Sequence, residues 1–385
     1  MQNKLITALR LKITTLLKGP SYLDEFTRQT YKTYLNHNKV IHYRDGYPVY
    51  SLSTPALFSK PAANFFARIL YRIIQNRNMP NLMSFALTDT CNAQCAHCSF
   101  FDKESQRKGE VMTSQQCKKI IADAQEIGVS IINLLGGEPL MRGDIMEIIK
   151  SIDKDLSTVI LFTNGWHLQE KAGDLKKAGL DGVYVSIDSA DGAEHDKIRN
   201  RNGMFEKAMA GLSSAKKAGL SVGISCCITK DDYNGGKLEE IIELGREIGI
   251  HEILVFDAIP TGKLKDCGKL IDDNHWINDM IKFTEKYNKD DSYPGILVYA
   301  YATSHRSTGC SGGTSYFYVS PFGDISPCDF NHAVFGNALE RPLYEIWDEM
   351  SSMDMYKQAT WGGCKMKNAK YRDSIHVSTE GYQRR

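Results

Sequence analysis

The chain has 385 residues, 42% of them hydrophobic and 24% charged, with a formal net charge of +1. That balance buries a large core and excludes collagen-like, low-complexity and disordered classes. No run approaches the roughly 18 uninterrupted apolar residues of a membrane-spanning helix, and no fixed-period repeat argues for a solenoid or propeller. The charge is uneven. Residues 1–81 hold twelve Lys or Arg against Asp24, Glu25 and Asp45, leaving 35 basic and 43 acidic residues for the remainder. Arg10 and Lys12 interrupt the apolar residues of the first twenty and no small-residue cleavage site follows, so no signal peptide is read. Ten cysteines in a cytoplasmic chain then point to metal or redox chemistry rather than disulfides.

In chain order, residues 1–80 form a basic extension. Two basic apolar stretches, 5–17 and 65–74, flank a hairpin expected at Arg44-Asp45-Gly46. The stretches suit amphipathic helices, which rest on an anionic membrane surface at the inner face or, as is commoner, pack on the body of the protein. No nucleic-acid partner is expected, because no binding module is recognisable.

From residue 81 onward short β-type runs alternate with helical ones. Strands are expected over 82–87, 131–135, 158–162, 182–187, 221–228 and 252–256, all rich in Val, Ile, Leu and Phe. Thr113 and Gln116 form a capping box for a helix that stops at Gly128, and further helices end at Gly219 and Gly249. Six strand–helix units with right-handed crossovers give an α/β fold, a partial (β/α)6 TIM-like barrel over 82–260. In that architecture ligands bind at the carboxyl ends of the strands. Residues 265–385 leave the alternation and read as an appended region, with a strand-like run at 316–320 and a helix near 343–353.

Just after the first strand stand Cys91, Cys95 and Cys98, with His97 between the last two. Three thiolates so spaced can wrap one corner of a [4Fe-4S] cluster and leave one iron without a protein ligand. The competing reading is a zinc knuckle on Cys95, Cys98 and His97, which lacks the paired second half such sites usually need, in a non-catalytic zinc-binding scaffold.

This C-x3-C-x2-C run resembles the hallmark of the radical SAM superfamily, in which the residue before the last cysteine is usually aromatic; His97 takes that place. The resemblance implies that Cys91, Cys95 and Cys98 ligate a [4Fe-4S] cluster whose open iron is chelated by S-adenosylmethionine. Gly136-Gly137-Glu138-Pro139, after the second strand, resembles the family's GGEP motif. Its glycines let the backbone approach a ligand closely, and Glu138 suits the cationic amino group of S-adenosylmethionine. Asn164 follows the third strand. Ser186 and Asp188 end the fourth, at the position where the family contacts the ribose, and both can face the barrel mouth. Arg199, in a run Glu194-His195-Asp196-x-x-Arg199, matches an arginine that contacts the methionyl carboxylate in peptide- and sugar-modifying members. Helix capping or surface charge would explain these polar residues equally well. Asp257, at the end of the sixth strand, is a candidate general acid or base, or a cap of the barrel mouth.

The carboxyl-terminal region carries C-x12-G-x4-C over Cys310, Gly323 and Cys328, and then Cys364. This resembles the auxiliary-cluster region called SPASM, or twitch when shortened. The longer cysteine array of a full SPASM region is missing, so the resemblance implies one auxiliary [4Fe-4S] cluster on Cys310, Cys328 and Cys364. Its fourth ligand could be Cys267, or an open position for substrate. Cys117, Cys226 and Cys227 read as structural. The expectation is an enzyme that reductively cleaves S-adenosylmethionine and abstracts hydrogen from a peptide, lipid or polyprenoid, sugar, or cofactor precursor. A flavodoxin- or ferredoxin-like protein would serve as electron donor.

Overall fold

The computed structural model describes residues 19, 21–30, 32–34, 39–100, 110–265, 274–331 and 333–375. A helix at 21–30 (α1) precedes a hairpin of β1 (His42–Arg44) and β2 (Tyr47–Val49). Arg44 pairs with Tyr47 across Asp45 (φ 51°) and Gly46 (φ 82°), the left-handed pair that a tight two-residue turn requires. Helix α2 (Lys60–Gln75) starts at Ser59, whose side chain accepts the Ala62 N–H, with a proline in its first turn. Its Phe65 and Ile69 are buried in a cluster with Tyr34 and Ile131. Protein therefore covers the apolar face that a membrane surface would have taken. The other stretch, 5–17, lies outside the described residues.

Six parallel strands lie side by side in chain order: β3 (Leu82–Ala86), β4 (Ile131–Leu135), β5 (Thr158–Thr163), β6 (Gly182–Ser186), β7 (Ser221–Ile228) and β8 (Glu252–Asp257). Between them run α3 (Ser114–Glu126), α4 (Ile145–Lys150), α5 (Leu168–Ala178), α6 (Gly192–Arg199), α7 (Met204–Lys217), α8 (Lys230–Asn234) and α9 (Lys237–Ile248). Strand sequences buried on both faces read as unbroken apolar runs: Val159, Ile160 and Leu161 are all fully buried. Thr113 caps α3 through the full reciprocal box with Gln116. Cys117 is buried on the apolar face of that helix.

The sheet does not stop at six strands. After α10 (Asn274–Asn288), β9 (Gly295–Val298) pairs parallel to β8. At the opposite edge β10 (Tyr316–Val319) pairs parallel to β3, and β11 (Asp324–Ser326) and β12 (Gly336–Asn337) continue antiparallel. The result is one open ten-stranded sheet, β12-β11-β10-β3-β4-β5-β6-β7-β8-β9. Two short helices complete the described elements, α11 (Tyr299–Ala302) and α12 (Leu343–Ser352). The carboxyl-terminal region is thus continuous with the barrel sheet at both edges, not an appendage to it. β10 occupies the strand-like run expected at 316–320, whereas β9, β11 and β12 are too short for periodicity to reveal.

Candidate active site

The loop after β3 is held from two sides. Gln94 and Ala96 donate backbone N–H groups to the carbonyls of Arg199 and Ile198, at 3.1 and 3.0 Å. Lys263, from the loop after β8, donates its backbone N–H to Cys98 O at 3.0 Å and its ammonium to Cys95 O at 2.8 Å. Gly262 makes that approach possible: a Cβ there would lie 2.3 Å from Cys98 O. Cys91 and Cys98 pack against a buried group containing Cys95, Ala93 and Met204, with Trp166 beside them. Burial pushes the Cys91 thiol up to about 11, and the neighbouring Cys95 and Cys98 sulfurs add to the rise. The Arg199 guanidinium points at Cys95 Sγ from 3.4 Å. Three soft sulfur donors gathered in an apolar pocket, one of them facing a cation, fit a thiolate-held iron–sulfur group.

Gly136 and Gly137 run beside the start of this loop. Gly137 and Glu138 donate backbone N–H groups to Thr88 O and Thr90 O, both at 2.8 Å. A Cβ on Gly136 (φ 149°) would stand 2.6 Å from Thr88 O, and one on Gly137 only 2.2 Å from Thr90 O. Both glycines line the main cavity, whereas Glu138 and Pro139 stand behind its wall. The Glu138 carboxylate accepts from Leu140 N (3.0 Å), Thr163 Oγ1 (2.6 Å) and Asn164 N (2.7 Å). Burial raises its pKa despite those donors. Glu138 therefore ties the end of β4 to the end of β5, and its oxygens are spoken for by protein groups. Asn164 lines the cavity, accepts from Trp166 N and donates to Asn92 Oδ1 at 2.7 Å.

Asp188 and Arg199, read separately from the sequence, meet as one buried ion pair: Nε and Nη2 lie 2.7 and 2.6 Å from Asp188 Oδ2. Asp188 Oδ1 accepts the Cys227 N–H at 3.0 Å, and His97 Nε2 lies 3.6 Å away. Burial pushes the Asp188 carboxyl up, but Arg199 and the other donors hold it below its ordinary value. Burial lowers the His97 pKa, more than Asp188 restores, and so keeps the imidazole neutral. Ser186 sits within 3.4 Å of Ser225 Oγ, and both line the cavity. Cys226 and Cys227 also reach the cavity wall, beyond the purely structural place the sequence suggested.

The second cysteine set is built by the β10–β11 hairpin. Gly323 (φ 88°) makes its turn, donating to Ser320 O, and Cys328 follows β11. Cys310 bridges to Thr360 through its backbone N–H at 2.8 Å, which brings the chain near Cys364 alongside. Cys328 and Cys364 share a buried cluster with Ile259, Tyr316 and Phe330. A hydrogen bond from Cys364 holds the Cys310 thiol below its ordinary value and raises that of Cys364, while burial raises Cys328. Three buried thiols in mutual electrostatic contact also fit a cluster. Cys267 lies outside the described residues.

One cavity of about 1790 Å³ runs inside the sheet. Its wall includes Cys91, Cys95, Cys98, Ser186 and Asp188 on one side, and Tyr299, Phe330 and Tyr316 in front of the second cysteine set. Asp257 lines it too, buried, with Oδ2 paired to Lys367. Asp257 Oδ1 is buried with no partner among the described residues. Lys367, Lys263, Gly262 and Asn92 were not singled out from the sequence. Only the glycine carried a local signal, and no pattern joins Lys367 to a strand end 110 residues earlier.

Two family descriptions match the chain: the radical SAM superfamily over residues 85–260, and an iron–sulfur cluster-binding SPASM domain over 310–370. An AdoMet-dependent heme synthase of Methanosarcina barkeri is 32% identical over 297 residues, covering 72% of this chain and 84% of that protein. An Fe-coproporphyrin III synthase of the same organism is 27% identical, covering 69% and 73%. In three dimensions the chain is similar to Streptococcus suis SuiB bound to its precursor peptide SuiA, with a TM-score of 0.62, 16% identity, and 80% and 81% of the two chains covered; that likeness concerns the fold. An enzyme with a SAM-binding [4Fe-4S] cluster and auxiliary iron–sulfur chemistry replaces the zinc scaffold considered above. The chain belongs to the radical SAM superfamily, in its SPASM-bearing branch.

Proposed function

We propose that Cys91, Cys95 and Cys98 hold the SAM-binding cluster and that Cys310, Cys328 and Cys364 hold one auxiliary cluster. In this reading the substrate is a carboxylate-bearing tetrapyrrole in the cavity between them. The observation that carries the reading is that a single cavity meets both cysteine neighbourhoods. The tetrapyrrole is supported by the names of the relatives and by a volume well above that of most small-molecule sites, about 300–1,000 Å³.

When bound, the first cluster supplies the electron that splits S-adenosylmethionine into methionine and a 5′-deoxyadenosyl radical, the hydrogen-abstracting species. The chain's own residues bind and orient. Gly136 and Gly137 offer backbone at close approach, with Glu138 and Pro139 fixing their turn from behind. Arg199, fixed by Asp188, stands beside Cys95 where the methionyl carboxylate would lie. Ser186 and Asn164 face the nucleoside, and His97, neutral, borders the cluster. Asp257, with one buried oxygen unsatisfied, is positioned to accept a proton from substrate. An electron donor is required, and a flavodoxin- or ferredoxin-like protein fits the role. No described helix is long and apolar enough to cross a membrane. Contact with an anionic membrane surface would fall to the basic extension, residues 1–80.

The test uses anoxically reconstituted protein. Titrating Fe-coproporphyrin III should shift its Soret band, and its presence with reductant should raise 5′-deoxyadenosine release. Cys95→Ala should abolish release. Cys328→Ala should preserve it while removing substrate turnover. Release indifferent to the porphyrin, with no Soret shift, would overturn the substrate; unimpaired turnover in Cys328→Ala would overturn the auxiliary role.

A further inference from the structure

The cavity has a second end. Beneath the amino-terminal ends of β3 and β4 it is lined by Leu82 and Ile131, and then by α1 and α2. The five residues of β3 alone span about 17 Å at roughly 3.3 Å each, so this end is far from the cysteine loop that follows the strand.

The charges around it are unevenly matched. Arg77 pairs with Asp348, Lys357 with Asp354, and Glu349 with Arg341. Among the described residues, Arg28, Lys32 and Arg72, all on the lining, share one carboxylate, Glu25. Arg28 takes the direct contact, Nε to Oε2 at 3.0 Å. Arg72 donates to the neutral amide of Gln29, and the Lys32 ammonium sits 4.4 Å over the Trp361 ring. Burial lowers the pKa of both Arg72 and Lys32, and the Arg28 charge lowers that of Lys32 further. Arg28 is exposed, but Arg72 is largely desolvated, and a buried cation short of a counter-ion is held at a cost that an anion would relieve. A guanidinium fork beside an ammonium matches the geometry of carboxylate or phosphate oxygens.

We propose that Arg28, Lys32 and Arg72 form an anion subsite that takes a carboxylate or phosphate group of an elongated substrate, whose reacting carbon lies at the opposite, cysteine-bearing end of the cavity. The proposal rests on the reading that substrate occupies this cavity. It adds a requirement of its own: one end of the molecule must be negatively charged. Arg72 and Lys32 act by positioning, far from the bond that breaks.

The test uses the full chain, anoxically reconstituted, with metal-free coproporphyrin III as the carboxylate probe and farnesyl diphosphate as the phosphate probe. Arg72→Gln and, separately, Lys32→Gln should each weaken one probe tenfold or more. Binding of S-adenosylmethionine, read from the cluster's electron paramagnetic resonance signal, should stay unchanged. Added salt should weaken binding to the wild type more than to either variant. If Arg72→Gln lowers the melting temperature, Lys32→Gln carries the comparison. A response confined to the diphosphate keeps the subsite as a phosphate site and shows that the tetrapyrrole carboxylates do not use it. Wild-type affinity for both probes in both variants, or no binding of either probe to the wild type, overturns the subsite. Stimulation of 5′-deoxyadenosine release by Fe-coproporphyrin III is a separate readout and would stand regardless.

Discussion

Asp188 is kept charged out of water by Arg199 and by the Cys227 N–H. Asp188→Asn preserves the shape but leaves a buried guanidinium without its counter-ion, which costs about 3–5 kcal/mol in comparable sites. Denaturant melts should show a loss of that order, and Asp188→Asn combined with Arg199→Met should recover much of it. Additive losses would show that the pair is not coupled. Glu252, buried at the start of β8, accepts from Leu52 N at 2.8 Å and from the Tyr184 hydroxyl. Burial raises its pKa from 4.5 to about 7. Between those values the folded chain holds a proton that the unfolded chain has released. Its contribution to stability therefore falls as pH rises from 4.5 to 7 and stays low above, by up to about 3 kcal/mol. Glu252→Gln can accept the same two hydrogen bonds without ionising. Its melting temperature should exceed the wild type's at pH 8 and approach it at pH 5; parallel pH curves would refute this.

At the scale of single elements, the link after β4 shows how a motif works through its backbone. Gly137→Ala places a methyl 2.2 Å from a backbone oxygen, with no flexible neighbour to swing aside. The turn must shift, and affinity for S-adenosylmethionine should fall at least tenfold in equilibrium dialysis; wild-type affinity would deny the turn its role in binding. Elements of this kind were readable from sequence because each announces itself locally. Strand β7 coincides with the run at 221–228, and the Thr113 box marks the start of α3 to the residue. β9 escaped, since four residues carry no period, and the strand-like run at 316–320 foretold β10 but not its pairing with β3, more than 230 residues earlier. The same limit applies within the site. Cysteine spacing places the thiols near one another, but that Asp188 neutralises Arg199 follows only from the way α6 returns over the cysteine loop. Glu138 reads as a ligand group by chemistry, and its placement makes it a brace as well, with one donor from Leu140 in its own turn and two from the end of β5.

Across the whole molecule, the last third of the chain is joined to the barrel at both sheet edges and through the ion pair of Lys367 with Asp257. Lys367→Ala would leave Asp257 buried with neither oxygen paired. It should lower stability by about 3 kcal/mol and expose the segment around 365–375 to limited proteolysis. An unchanged digestion pattern would mean the tie is dispensable. The β10 pairing reaches further. Strand β3 emerges early in synthesis, but one of its neighbours is made more than 230 residues later, so at translation rates of about 5–20 residues per second that edge stays unzipped for roughly ten seconds or more. A bare apolar strand edge invites pairing with the same edge on another nascent chain. Cells making this protein should therefore depend on holdase chaperones to keep it from aggregating, and chains truncated near residue 260 should collect in inclusion bodies.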